Sequence, residues 1–378
     1  MEPTKKDKKC SVFCGGIADE KIKPLSHMAI LTFVDRHNCV LHIDKLKQVI
    51  KGFTVSMKAT LLNALIADSL FMQLHTLVTS PVFFEPLFST EWHKMVQLHA
   101  MNAELEERGR GSIFHSLNQL CHAELENRRE NLPQFLSYVP ISLNYSLYLI
   151  EGGYYFKALK VVNQLKEITG KFLSGKCEDN VRAVLINIYI MALTAKFNCH
   201  NTLFELKEGR ELYDSNLVIV TQACSEEIPN IKVNAAAFFT QCSRYCHLVS
   251  DVHASHKYAM QALELIESKV HARPHPRVVI NALRQATLTF LQLGLPNSAK
   301  ITIETALSLC QNVVNESAIK KCPKCHDLSD SLLFLDCMAD YAYFLRWTDE
   351  TLKSKLVLGE VVKVSGVKLT TLSLSVLS

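Results

Sequence analysis

The chain has 378 residues, enough for two or three ordinary domains or one elongated repeat array. Hydrophobic residues make up 48% and charged residues 21%, so a sizeable core can be buried. The 41 basic against 37 acidic residues leave a formal charge of +4, too balanced for nucleic acid as the main partner. The 13 cysteines are odd in number and scattered, several inside helical patterns such as Cys242, Cys246 and Cys310. Disulfide frameworks belong to small secreted chains, so these read as reduced thiols of a cytosolic or nuclear protein. No signal peptide opens the sequence, and no apolar run approaches the roughly 18 residues of a membrane helix, so no transmembrane segment is expected.

Residues 1–25 are polar and carry the basic run Lys5-Lys6-Asp7-Lys8-Lys9, which predicts a solvated, disordered tail. From 26 to 110 helical runs alternate with breaks. Leu61, Leu62, Leu65, Ile66, Leu70 and Leu74 keep helical spacing, Pro81 and Pro86 interrupt it, and Trp92 to Leu105 resumes it. The charged stretch Glu106 to Gly111 reads as a joint, and a repeat array is expected over 111–350.

Its hairpins become regular from about 132. The first pairs Ser142–Glu151 with Tyr155–Thr169 around Gly152-Gly153. The second pairs Asn180–Phe197 with Thr202–Thr221, the third Ile231–Val249 with His253–Val270, and the fourth Pro276–Leu293 with Ser298–Val314 around Gly294-Leu295-Pro296. A fifth first helix runs from Leu328 to Arg346. The pairs carry pieces of the tetratricopeptide signature: Leu283, Ala286 and Phe290 before the turn, Ala299, Ile303 and Ala306 after it. Leu149, Gly153, Tyr155, Ala158 and Val162 stand in matching places in the first pair. Small residues sit where two helices cross closely, and large ones fill the groove beside them. Ala262 and Ala306 are 44 residues apart, so the unit is longer than the simplest such repeat. The expected fold is all-α, an α-solenoid of about four and a half tetratricopeptide-like helical hairpins. Residues 351–378 do not fit. Rich in valine, serine and threonine and interrupted by Gly359 and Gly366, they predict a poorly ordered tail where a second helix is due.

Motifs of catalysis are weak. Gly170 to Cys177 nearly spells a phosphate-binding loop, but Cys177 replaces the hydroxyl that would hold magnesium and a helix precedes it, so it reads as an inter-helix turn. Cys322-Pro-Lys-Cys325-His326 resembles half a zinc site, with Cys337 or Cys310 as a fourth ligand, yet no second Cys-x-x-Cys exists and an inter-repeat loop is the plainer reading. His271, Arg273, His275 and Arg277 form a Pro-punctuated basic turn. No catalytic residue, metal or cofactor is expected.

Binding residues are better signalled. First helices offer Arg182, Asn281, Arg284 and Gln285 to a peptide groove. An arginine fork suits a C-terminal carboxylate, and asparagine or glutamine suits extended backbone. Leu117, Cys121 and Leu125 stand four apart and form one apolar stripe. It resembles the box with which substrate receptors dock on elongin C, and Leu132-Pro133-Gln-Phe-Leu136 resembles the start of a cullin-2 box. Pro140 falls where the next apolar residue of that box belongs. The competing reading of the stripe is a helix core.

Several segments match one family in order and spacing over about 130–350. They are Gly153-Tyr-Tyr-Phe-Lys-Ala158, Arg182-Ala-Val, Leu206-Lys-Glu-Gly-Arg-Glu-Leu212, Val278 to Ala286, Asp327 to Leu332 and Ala339 to Leu345. This set resembles the amyloid protein-binding protein 2 family; residues 1–110 match only around Asp35-Arg36-His37. The resemblance implies a cytoplasmic tetratricopeptide-repeat adaptor similar to kinesin light chain, associated with microtubules, membranes and trafficking of the amyloid precursor protein. It also implies a substrate receptor of cullin-2 ubiquitin ligases that recognises C-terminal degrons. A motor-cargo adaptor without ligase docking is the alternative; a metal- or nucleotide-dependent enzyme is the alternative of another class.

Overall fold

The computed structural model describes residues 113–226, 228–268, 274–320 and 328–365. The expected basic tail, the helical region 26–110, His271, Arg273 and the Cys322–His326 motif lie outside the described residues. Among the described residues there are eleven helices and no strand. They are α1 Ile113–Asn127, α2 Leu132–Glu151, α3 Tyr155–Ser174, α4 Asp179–Leu203, α5 Leu206–Cys224, α6 Ile231–Leu248, α7 Val252–Glu267, α8 Pro276–Gln292, α9 Pro296–Lys320, α10 Leu328–Trp347 and α11 Thr351–Ser365. The chain divides into two compact units, α1–α3 and α4–α11. Both are all-α, and the second is a solenoid of helical hairpins.

One turn recurs five times. Gly153, Phe204, Ser250, Gly294 and Asp349 adopt the left-handed region at φ 80°, 57°, 62°, 69° and 62°. The amide after each closes back on the carbonyl five residues earlier: Tyr154 on Leu149 at 2.8 Å, Glu205 on His200 at 3.0 Å, Asp251 on Cys246 at 2.8 Å, Leu295 on Phe290 at 2.9 Å and Glu350 on Leu345 at 2.8 Å. This is the Schellman ending, which satisfies the orphan carbonyls of the first helix and reverses the chain. Five places after each turn residue stands a small buried one: Ala158, Gly209, Ser255, Ala299 and Ser354. There the second helix meets the first. At Gly209 a Cβ would also lie 3.1 Å from the Tyr245 ring on α6, the first helix of the next hairpin, so glycine permits that approach.

This register corrects three sequence expectations. The second hairpin turns at Phe204, not before Thr202, because Cys199 is buried and Asn201 donates to the Gln241 carbonyl at 3.0 Å. The first helix of the first pair starts at Leu132 rather than Ser142. Asn131 caps it by accepting from the Gln134 amide at 3.1 Å, Pro133 occupies the first turn, and exposed Pro140 sits inside the helix. Gly170 lies within α3, and the chain turns only at Gly175.

The largest correction is α11. Ser354 donates to the Ala342 carbonyl at 2.7 Å, as Ser255 donates to the Ser243 carbonyl at 3.0 Å. Ser243 and Ala342 each stand seven places before their turn residue. Val361 is buried at the place of Ala262 and Ala306, and Val357 packs against Phe344 and Leu345. Residues 351–365 are thus the second helix of a fifth hairpin. Leu352 and Leu356 remain exposed on its outer face.

In the second unit the first helices α4, α6, α8 and α10 pack on one another in order, and each of the pairs α4–α5, α6–α7 and α10–α11 closes as a hairpin. The central core is aromatic: Phe197, Phe238, Phe239, Tyr245 and Tyr258 are buried together, and the Tyr213 and Tyr258 hydroxyls meet at 2.7 Å. Among the described residues α4 alone is long and apolar enough to cross a membrane. Its Leu193 and Phe197 join this core, and its asparagines bond to neighbouring chain, as the inner helix of an array requires.

Candidate peptide-binding face

The layer of first helices in the second unit carries polar groups that bond from helix to helix. Asn234 of α6 donates to Asn187 of α4 at 2.7 Å, and Asn187 donates to the Pro229 carbonyl at 3.0 Å. Arg244 of α6 donates through Nη1 to Asn198 of α4 at 3.0 Å. Arg284 of α8 meets two carboxylates of α10: its Nε lies 2.5 Å from Asp340 and its Nη1 3.3 Å from Asp336. It also donates to Asn281 at 3.4 Å. Leu288 follows Arg284 by one turn, and Tyr343 follows Asp336 by two turns, so apolar and aromatic surface flanks the charges on the same faces.

The side chains of Arg284 and Asp340 are 21% and 20% exposed, while Asp336 is 58% exposed. Burial works against the Arg284 cation, but the facing Asp340 and Asp336 carboxylates outweigh it and raise its pKa further. Burial also raises the Asp340 carboxyl, and Arg284 only partly offsets this. Arg244 contributes a smaller stabilising charge to Asp340. Two guanidiniums and two carboxylates therefore balance in one cluster. The open fork expected at Arg284 is already engaged, and a ligand carboxylate would have to displace Asp336, whose bond is longer and wetter than that of Asp340.

The other expected groove residues are not all brought together. Asn281 is exposed beside Arg284. Gln285 is buried, and its Nε2 has no protein partner, so it faces packing rather than solvent. Arg182 is exposed in the first turn of α4, a helix that does not adjoin α8. Sequence reasoning missed Arg244, Asp336 and Asp340. The hairpin register could have found the first, since counting six places back from Ser250, Gly294 and Asp349 reaches Arg244, Leu288 and Tyr343 on equivalent places; Asp336 and Asp340 carry no such signal.

The proposed docking stripe is placed differently. Leu117, Cys121 and Leu125 are each 0% exposed. The helix α1 packs on α2 and α3, with the Phe114 ring tilted against that of Tyr154 at 4.6 Å and Asn118 accepting from the Tyr145 hydroxyl at 3.0 Å. Burial pushes the Cys121 thiol up. Leu132 is half-buried and Pro133 exposed. The stripe is core of the first unit and offers nothing to a groove on another protein while α1 is seated.

His247 of α6 is mostly buried, and its Nδ1 has no protein partner. Burial lowers its pKa below the usual 6.5, the Gln292 side chain opposes this, and Arg244 adds to it. The unfolded chain therefore takes up a proton before the folded one does. Stability is full above about pH 6.5 and falls as the pH drops through the lowered value. The melting temperature should decline below pH 6.5, and His247→Gln should flatten that decline; an unchanged pH slope would remove His247 as its source.

No family model matches the chain, and no curated protein matches it.

Proposed function

We propose that the chain is a non-catalytic protein-binding adaptor that holds an extended peptide against the first helices α4, α6, α8 and α10. The observation that carries this reading is the polar ladder across that layer, flanked by Tyr343 and Trp347, which are 47% and 51% exposed. A helical-hairpin stack offers a long continuous face, and amide and guanidinium side chains along it can bond to the backbone groups of an extended peptide. The resemblance of 130–350 to amyloid protein-binding protein 2 supports the same class, with C-terminal degrons or the amyloid precursor tail as ligands.

Two cellular roles fit such a face. A ubiquitin-ligase receptor also needs docking on elongin C and cullin-2, for which the sequence offers Leu117, Cys121, Leu125, Leu132 and Pro133. A motor-cargo or microtubule adaptor needs no such stripe, and the burial of Leu117, Cys121 and Leu125 favours it. Co-purification of elongin C with the full chain would restore the first role through another surface.

The ligand end is tested with peptides selected from a display library on the full chain, titrated as free acids and as amides. Asp336 competes with a ligand carboxylate for Arg284, so Asp336→Asn should tighten the free acids about 3- to 10-fold and leave the amides unchanged, the scale of the net gain from one hydrogen bond. Equal binding of acids and amides would contradict carboxylate recognition at Arg284.

A further inference from the structure

We propose that Cys310 and Cys337 form an oxidation-sensitive dithiol that closes into a disulfide and clasps the fourth helical hairpin to the fifth. Cys310 lies on α9 and Cys337 on α10, and their Sγ atoms stand 3.3 Å apart. The two are 27 residues apart in the chain, so tertiary packing and not local sequence brings them together. They are 1% and 0% exposed in one cluster with Ile280, Ala306 and Leu333. A disulfide holds its sulfurs about 2.05 Å apart, so closure needs a little over one ångström, shared between two helices packed through small and aliphatic side chains.

The bond would cross the interface that Arg284 spans with Asp336 and Asp340. Closing it ties α9 to α10 behind the proposed binding face and holds α10 against α8. The contact with Cys310 and burial both push the Cys337 thiol up, while the nearby Arg284 charge opposes them. Thiolate is scarce in the closed state, so the buried pair reacts slowly, and oxidation waits on transient separation of α10 from α9.

Hydrogen peroxide suffices as oxidant. The Cys337 thiolate attacks one peroxide oxygen, the O–O bond breaks, and after protonation one water leaves. The Cys337 sulfenic acid remains. The Cys310 sulfur then attacks that sulfur, the S–O bond breaks, and the second water leaves. Two thiols lose two protons and two electrons, and one peroxide becomes two waters.

The experiment treats the full chain with hydrogen peroxide, blocks remaining thiols with N-ethylmaleimide, digests without reduction and reads the peptides by mass spectrometry. The expected product is a Cys310–Cys337 linked pair lighter by two hydrogens, reversed by dithiothreitol. It should be accompanied by a higher melting temperature that Cys337→Ala abolishes. The proposal is overturned if Cys310 and Cys337 stay alkylatable after denaturation while the partly exposed Cys177 and Cys224 are oxidised. It is equally overturned if either pairs instead with another cysteine. The mapping is done on the unaltered chain, so it stands even if the alanine variant folds poorly.

Discussion

Leu117→Asp should unfold the first helical unit rather than remove a docking contact. Leu117 is fully buried between Phe114, Cys121 and the helices α2 and α3. Aspartate there deletes an aliphatic side chain and buries a carboxylate with no cation to meet it. The expected cost is about 4–6 kcal/mol, in the range reserved for unpaired buried charges and cavities combined. Cys121→Asp should behave alike, whereas Pro133→Ala, on an exposed position, should change stability by less than about 1 kcal/mol. Hydrogen exchange over 113–178 separates the readings. Loss of protection across α1–α3 agrees with a core role. A folded, fully protected variant would show that the stripe is spare surface and revive docking.

Cutting the chain after Glu350 should destabilise the second unit by about 3–5 kcal/mol, because α11 covers the faces of Ala342, Phe344 and Leu345. Val357 and Val361 leave with it, and α10 keeps an apolar face without its hairpin partner. Arg284 should then lose its firm hold on Asp340, since α10 carries that carboxylate, and binding to the first-helix layer should fall with stability. Thermal unfolding of the cut and full chains checks this. Equal melting temperatures would show that α11 is dispensable and that the fourth hairpin closes the array by itself.

The fold class was legible because its signals are local. Gly153 and Gly294 mark two turns by composition, and Ala158, Ala262, Ala299 and Ala306 mark the crossings. The turn at Ser250 was placed between Val249 and His253, and the fifth first helix was ended close to its turn at Asp349, but the turn at Phe204 was not legible. Phe204 adopts a left-handed conformation that costs a non-glycine residue about 1–2 kcal/mol, and nothing in its side chain announces it. That is why the second hairpin is displaced in the sequence reading, whereas the fifth loses its second helix to the valine-rich composition of 351–365. In α11, Val357, Val361, Val362 and Gly359 are poor helix formers. Tertiary packing through Ser354, Val357 and Val361 outweighs that preference, and exposed Gly359 with open space around it is tolerated.

The candidate site was half legible. Asn281 and Arg284 were found from their place on a first helix. The ion pairs that engage Arg284 were not, because Asp336 and Asp340 lie 52 and 56 residues further on, and only the stacking of α10 on α8 brings them close. The Leu117 stripe shows the converse. Its spacing serves a partner helix and a core equally well, and only packing decides which. Gln285 was misplaced by one residue of register, since the neighbour of Arg284 on the helix points some 100° away from it.

The most direct test of the adaptor reading maps a library-selected peptide onto the two layers of the second unit. Affinity is measured by fluorescence anisotropy for Arg244→Ala and Tyr343→Ala on the first-helix layer, and for Val218→Ser and Ile301→Ser on exposed positions of the second helices. Losses of about 10-fold or more are expected for the first two, as for polar and aromatic anchors of an interface, with the last two unchanged. Failure to select any peptide, or losses confined to Val218 and Ile301, would contradict recognition by the layer of α4, α6, α8 and α10.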